Sequence, residues 1–201
     1  MIVYVESNFV LELALLQEEH RSCDSIVGLA ESLTIDLAIP AFSLFEPYEV
    51  WRRRTGERTE LYERLIQEMG QLARTEPYTK TVEDSGDPAS ILVRSGNEDK
   101  RRLDLTLGRI LDCAVVIPLQ RETLRNAIQF QGSLGLSPQD SVVYASVIAH
   151  LSAASPGPKC FLNRDRKDFS LPDIGEELGR HDCRLITRFV DGLSYINWLQ
   201  A

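Results

Sequence analysis

The chain has 201 residues, 43% apolar and 26% charged, the make-up of one ordinary soluble domain able to bury roughly 70% of its unfolded surface. A net charge of −8 argues against a protein that grips nucleic acid over its whole surface. Apolar runs of strand length, such as CAVVIPL, exclude a bilayer span. The opening MIVYVESNF lacks the basic leader and long apolar stretch of a signal peptide. Cys23, Cys113, Cys160 and Cys183 lie far apart with no CxxC pair, so they read as buried thiols of a cytoplasmic protein.

IVYV predicts a short buried strand. SNFVLELALLQEEH predicts a helix with Phe9, Leu13 and Leu16 near one face and Ser7 as N-cap. SCDSIVGLAESL continues as a second helix, and TIDLAI is a strand that stops at Pro40. AFSLFEPYEVWRRR opens another helix, and Leu61, Leu65, Met69 and Leu72 keep helical spacing from Glu57 to Arg74. The polar, proline-flanked TEPYTKTVEDSGDP reads as a loop, and a further helix carries Leu103, Leu107 and Ile110.

Strand–helix alternation follows. CAVVIPL, KCFLN and CRLIT are strands; RETLRNAIQFQGSLG, SPQDSVVYASVIAHLSA, PDIGEELGRH and FVDGLSYINWLQ are helices. Alternation of this kind implies an α/β fold with a mostly parallel central sheet covered on both faces. No repeat or linker divides the chain, so residues 1–201 are expected to form a single domain with a charged helical insertion at about 52–110.

Ligands of an open parallel sheet bind beyond the carboxyl ends of its strands. Glu6 ends the first strand, Glu46 follows TIDLAI, Asp140 lies in the first turn of the SVVYASVIAHL helix, and Asn163 and Asp165 follow KCFL. Four carboxylates from distant parts of the chain thus converge on one edge. Each has a structural alternative. Ser137-Pro138-Gln139-Asp140 has the form of a capping box, Ser43-x-x-Glu46 has the same form, Glu6 suits a surface strand end, and Asp165 and Asp168 suit a loop. Crowded carboxylates raise one another's pKa, and a hard divalent cation such as Mg²⁺ or Mn²⁺ relieves that. Arg164, Arg166 and Lys167 beside Asp165 are candidates to hold flanking phosphates, with solvated loop charges as the alternative.

Four segments, in order, resemble the PIN-domain nucleases. YVESNFVLEL is similar to their first strand and acid, IPAFSLFEPYEV to the second acidic segment, LSPQDSVVYASVIAHL to the third, and FLNRDRKDF to the fourth. The resemblance covers nearly the whole chain outside about residues 52–110. It implies a three-layer α/β/α fold and a Mg²⁺- or Mn²⁺-dependent endoribonuclease of the kind found as toxins in bacterial toxin–antitoxin pairs. Glu6, Glu46, Asp140 and Asp165 would form the catalytic, metal-holding cluster, with Asn8, Asn163 and Asp168 in support. RNA is the implied substrate, an antitoxin protein and a second copy of the chain are possible partners, and no membrane is involved.

Two departures stand out. Glu6 occupies a position where the family usually has Asp, and the extra methylene moves the carboxylate by ~1.5 Å. A displacement of that order is poorly tolerated in catalysis, so the alternative function is a catalytically weakened module that binds RNA or protein. A third possibility, a receiver-like doubly wound domain, gives Asp140 and the insertion no role. The second departure is that insertion. Residues 51–112 hold 12 of the 22 basic and 12 of the 30 acidic residues, so the rest of the chain carries the entire −8. Arg52, Arg53 and Arg54 are accordingly candidates for backbone contact, against a solvated face with i,i+4 pairs such as Glu60–Arg64. Replacing all three arginines with Ala is expected to weaken RNA binding and flatten its salt dependence. Unchanged affinity in a salt titration removes them from the interface.

Overall fold

Short runs of Val, Ile, Leu and Phe form the strands β1 (Ile2–Val5), β2 (Asp36–Pro40), β3 (Ala114–Ile117), β4 (Lys159–Leu162) and β5 (Cys183–Ile186) of the computed structural model. The structure describes residues 1–87, 89–165, 169 and 171–200. In chain order its helices are α1 (Ser7–Ala14), α2 (His20–Glu31), α3 (Phe42–Leu72), α4 (Glu76–Ser85), α5 (Ser90–Cys113), α6 (Arg121–Leu134), α7 (Pro138–Ala153), α8 (Pro172–Gly179) and α9 (Phe189–Gln200). None is long and apolar enough to cross a membrane, among the described residues. Two compact units result: Met1–Pro47 with Leu103–Ala201, and Tyr48–Arg102.

The first unit holds a sheet of five parallel strands in the order β3-β2-β1-β4-β5. Central strands of a parallel sheet are covered on both faces, which is why β4 is buried throughout and β1 nearly so. Alternate residues face opposite layers. Tyr4, Ala38 and Phe161 pack in one core with Val143, Tyr144 and Val147 of α7, Ile174 and Leu178 of α8, and Phe169. Edge-on ring contacts run through that core, Phe161 to Phe169 at 5.6 Å and Phe130 to Tyr144 at 4.9 Å. On the opposite layer α1, α2 and α9 pack together, and Phe9 of α1 meets Phe189 of α9 edge-on at 5.4 Å. The fold is thus the three-layer α/β/α arrangement with a parallel sheet. The edge strands β3 and β5 each keep one exposed residue, Val115 and Arg184.

Three local readings of the sequence are corrected. Helix α1 does not run on through His20. Its last turn closes at Leu16, in the left-handed region at φ +52°, because the Gln17 N–H turns back to the Glu12 carbonyl and the Glu19 N–H to the Glu12 carboxylate. The N-cap of α1 is Glu6 rather than Ser7. The stretch read as a loop is helix α4, with Thr75 at its N-cap and Pro77 in its first turn, where a missing N–H disrupts no helical bond. No residue of α4 is buried, so it carried no apolar signal to oppose the proline.

In the second unit the helical residues from α3 and α5 pack closely. A Cβ at Gly96 would approach Thr55 Cγ2 to 2.8 Å, and the indole N–H of Trp51 donates to the Gly96 carbonyl at 2.8 Å. Arg58 and Arg102 share the largely buried Asp99 at 2.8 and 2.5 Å. Arg52 and Arg53 are exposed and pair with Glu49 and Glu57, contacts of little energetic weight.

Close approach also sets the packing of α9 on β4. A Cβ on Gly192 would lie 2.7 Å from Leu162 Cδ2, and Leu162 is fully buried. Gly192→Ala is therefore expected to lower stability by about 1–3 kcal/mol through overpacking. Urea denaturation checks this, and the loss should shrink in a Leu162→Ala background, where the crowded methyls are gone.

Candidate functional site

The connections β1→β2→β3 step outward on one side of β1, and β4 returns to its other side. The switch point of the sheet therefore lies between β1 and β4, and ligands of open parallel sheets bind at such a point, beyond the strands' carboxyl ends. Glu6 leaves β1 and Asn163 leaves β4 at that place, since Val5 is in register with Leu162. Asn163 is buried, its N–H donates to the Ile186 carbonyl at 3.1 Å, and its Oδ1 accepts from the Asp165 N–H at 2.8 Å.

Glu6 is only 4% exposed. Its Oε2 accepts from the Asn8 N–H at 2.8 Å, capping α1, and lies 3.0 Å from Ser7 Oγ. Ser7 Oγ is also 2.6 Å from Glu46 Oε2, so one hydroxyl bridges two carboxyl groups. A hydroxyl has one proton to give. Bonding both carboxyls at once requires a proton on one of them. Burial, and then the charges of Glu46 and Asp140, push Glu6 up from 4.5 to about 8, against the lowering effect of its bonds to Asn8 and Ser7. Burial thus favours the proton on Glu6. Its second oxygen, Oε1, is buried with no hydrogen-bond partner among the described residues.

Glu46 is half-buried, one full turn into α3 rather than in its first turn, and Pro47 follows it inside the helix. Asp140 sits in the capping box expected of it: its N–H donates to Ser137 Oγ at 3.1 Å, and its Oδ2 accepts from that hydroxyl at 2.5 Å. The structure thus joins Glu6 and Glu46 through Ser7 and puts Asp140 within reach of Glu6's charge, and Asn8 adjoins them through its N–H. Among the described residues no three His, Cys, Asp or Glu side chains are grouped so as to hold one ion in this conformation. Arg166, Lys167 and Asp168 lie outside the described residues.

A second buried acid went unread in the sequence. Glu12, 1% exposed, faces inward from α1 between Leu11 and Leu13. Arg164 pairs with Glu12 and, at 3.0 Å, with Glu18. Glu12 also accepts from the Glu19 N–H at 2.5 Å, and Glu19 in turn accepts from the Phe189 N–H at 2.6 Å and pairs with Arg188 at 3.3 Å. Arg164, read as a candidate phosphate contact, is thereby engaged in tying the α1–α2 turn to the loop after β4. The only signal was a glutamate set between two leucines on an apolar helix.

Two buried glutamates on one short helix and its cap have opposite fates. Glu12 has an arginine, and Glu6 has none among the described residues. Because the value of Glu6 in the fold lies above its ordinary one, the folded chain keeps a proton that the unfolded chain releases. The stability this contributes is fully present below about pH 4.5 and is lost as pH rises through about 8. In EDTA, stability is expected to fall from about pH 5 to 8 by at most about 1.4 kcal/mol per unit from this group. Glu6→Gln should flatten that slope. An unchanged slope in urea melts of the variant would assign it elsewhere.

No family model matches the sequence, and no curated protein matches it. Among solved structures, the chain is similar to VapBC2 from Rickettsia felis bound to a DNA fragment from its promoter, at 11% identity and a TM-score of 0.47. That likeness covers 92% of this chain and 98% of the other.

Proposed function

We propose that this chain is a divalent-cation-dependent nuclease acting on RNA. The observation that carries the reading is the buried, unpartnered Oε1 of Glu6 at the switch point of a parallel sheet. Leaving a buried carboxylate oxygen unsatisfied is destabilising, and perturbed acids of this kind cluster at functional sites. The donor set is all oxygen, which suits Mg²⁺ or Mn²⁺. Glu6, Glu46 and Asp140 would hold the ion, and Asp165 would complete the set from the β4 side. When bound, such an ion supplies positive charge that polarises a phosphodiester and makes a water more acidic.

The chain's own residues do the rest. Ser7 fixes Glu6 and Glu46 relative to each other, and Ser137 fixes the Asp140 carboxylate. The Asn163 side chain shapes the turn that carries Asp165. The Glu6 proton must leave before the cation enters, so cation affinity should rise with pH. In this reading an antitoxin protein would act as the inhibitor.

A second reading is a PIN-like module that binds RNA or protein without turnover. It is favoured by the burial of Glu6 and by the lack, among the described residues, of a three-acid group. Cleavage of total RNA with Mn²⁺, Mg²⁺ or EDTA separates the two. Metal-dependent cleavage that drops by about 10²-fold or more in Asp140→Asn and Glu46→Gln is expected. Asparagine can still accept from Ser137, so the fold should persist. Equal activity in parent and variants would place any cleavage outside this site, and no cleavage by metal-titrated, folded parent favours the second reading.

A further inference from the structure

The groove between β5 and α9, about 610 Å³ and open to solvent, lies one strand beyond Asn163. Arg184, Thr187, Asp191, Ser194, Tyr195 and Trp198 line it. Its volume is in the range of small-ligand sites, about 300–1,000 Å³. Trp198 is 72% exposed, an unusual state for the largest apolar side chain, and it stacks on Tyr195 with ring planes 25° apart and centroids at 6.3 Å. The Arg184 guanidinium lies 5.3 Å from the centre of the Tyr195 ring. Arg164, Arg188 and Arg109 all pair with carboxylates, whereas Arg184 pairs with none among the described residues.

We propose that this groove binds an unpaired base of single-stranded RNA. This deepens the nuclease reading and rests on it for the identity of the ligand. A highly exposed tryptophan stacked on a half-buried tyrosine, beside a guanidinium with no carboxylate partner among the described residues, is the combination that takes single-stranded nucleic acid, the tryptophan stacking on the base and the arginine facing a phosphate. Thr187 and Ser194 add hydroxyl groups for base edges or the 2′-hydroxyl. Asp191, the negative charge on the lining, is a hydrogen-bond acceptor for an exocyclic amine and opposes a second phosphate, so the groove holds one base and not a backbone run. Its position follows from the sheet. The Asn163 N–H bonds the carbonyl of Ile186, so one end of the groove lies beside Asn163, while Arg184, Tyr195 and Trp198 lie toward the amino ends of the strands, where Gln200 bonds the Thr34 carbonyl. A single strand engaged at the acids would reach the ring pair by running along β5.

Binding is measured without catalysis, by anisotropy of a labelled oligouridylate of about six nucleotides in EDTA. Trp198→Ala and Arg184→Gln should each weaken it about tenfold or more, and Trp198→Phe should retain most of the affinity. With only two tryptophans in the chain, Trp51→Phe leaves Trp198 as the sole fluorophore, and its emission should be quenched on binding. Equal affinity in parent and Trp198→Ala overturns the proposal, as does equal affinity for an abasic oligomer. An extended peptide that quenches Trp198 while the oligouridylate does not overturns it in favour of strand addition at β5. The two readings fail separately. Trp198-dependent binding without metal-dependent cleavage leaves this site standing and removes the nuclease, and cleavage indifferent to Trp198 does the reverse.

Discussion

A carboxyl group buried at the end of the central strand, with no basic side chain beside it among the described residues, is the feature around which this fold is arranged. Glu6 leaves the central strand at the switch point and is drawn inward because it caps α1 through the Asn8 N–H. That cap fixes one oxygen and strands the other. Six residues on, Glu12 shows the usual solution to the same problem: an arginine brought from the far end of the chain. Buried ion pairs add little net stability, but removing one partner is strongly destabilising. The chain therefore has the means to neutralise an interior acid and, among the described residues, uses them for Glu12 and not for Glu6.

The layers place these groups. Alternation along β1 sends Tyr4 into the aromatic core on one side while Val3 and Val5 are buried too, so the strand is gripped from both faces up to the residue before Glu6. Asn163 is anchored equally firmly by β5 through Ile186. A rigid sheet edge thus presents one residue from each of the two strands at the switch point, while Glu46 and Asp140 arrive on helices. Glu46 precedes a proline inside α3, and Asp140 is fixed by its own cap.

Much of this architecture was legible because it rests on local patterns. IVYV and KCFL form strands where apolar runs say they should, and Ser137-Pro138-Gln139-Asp140 closes the capping box that its spacing implies. The switch point brought Glu6 and Asn163 to one place by topology alone. What stayed hidden depends on partners distant in sequence. Nothing local says that Glu12 turns inward to meet Arg164, or that Arg188 answers Glu19. Helix α4 was concealed for a different reason, since a helix with no buried face has no periodicity to read. Trp198 looks like a core residue at helical spacing, and only the edge position of β5 leaves its ring in solvent.

The double duty of Asp140 has an evolutionary consequence. Its carboxylate and N–H both engage Ser137, so folding alone gives a reason to keep it, whether or not the chain performs chemistry. Glu6 is the opposite case, an interior acid whose burial opposes its ionisation and so weakens the fold as pH rises. Under drift without selection for activity, Asp140 would persist and Glu6 would give way to glutamine or an apolar residue. Among diverged copies of this fold, the first strand's acid is then the informative marker of a working site, and the helix-capping aspartate is a poor one.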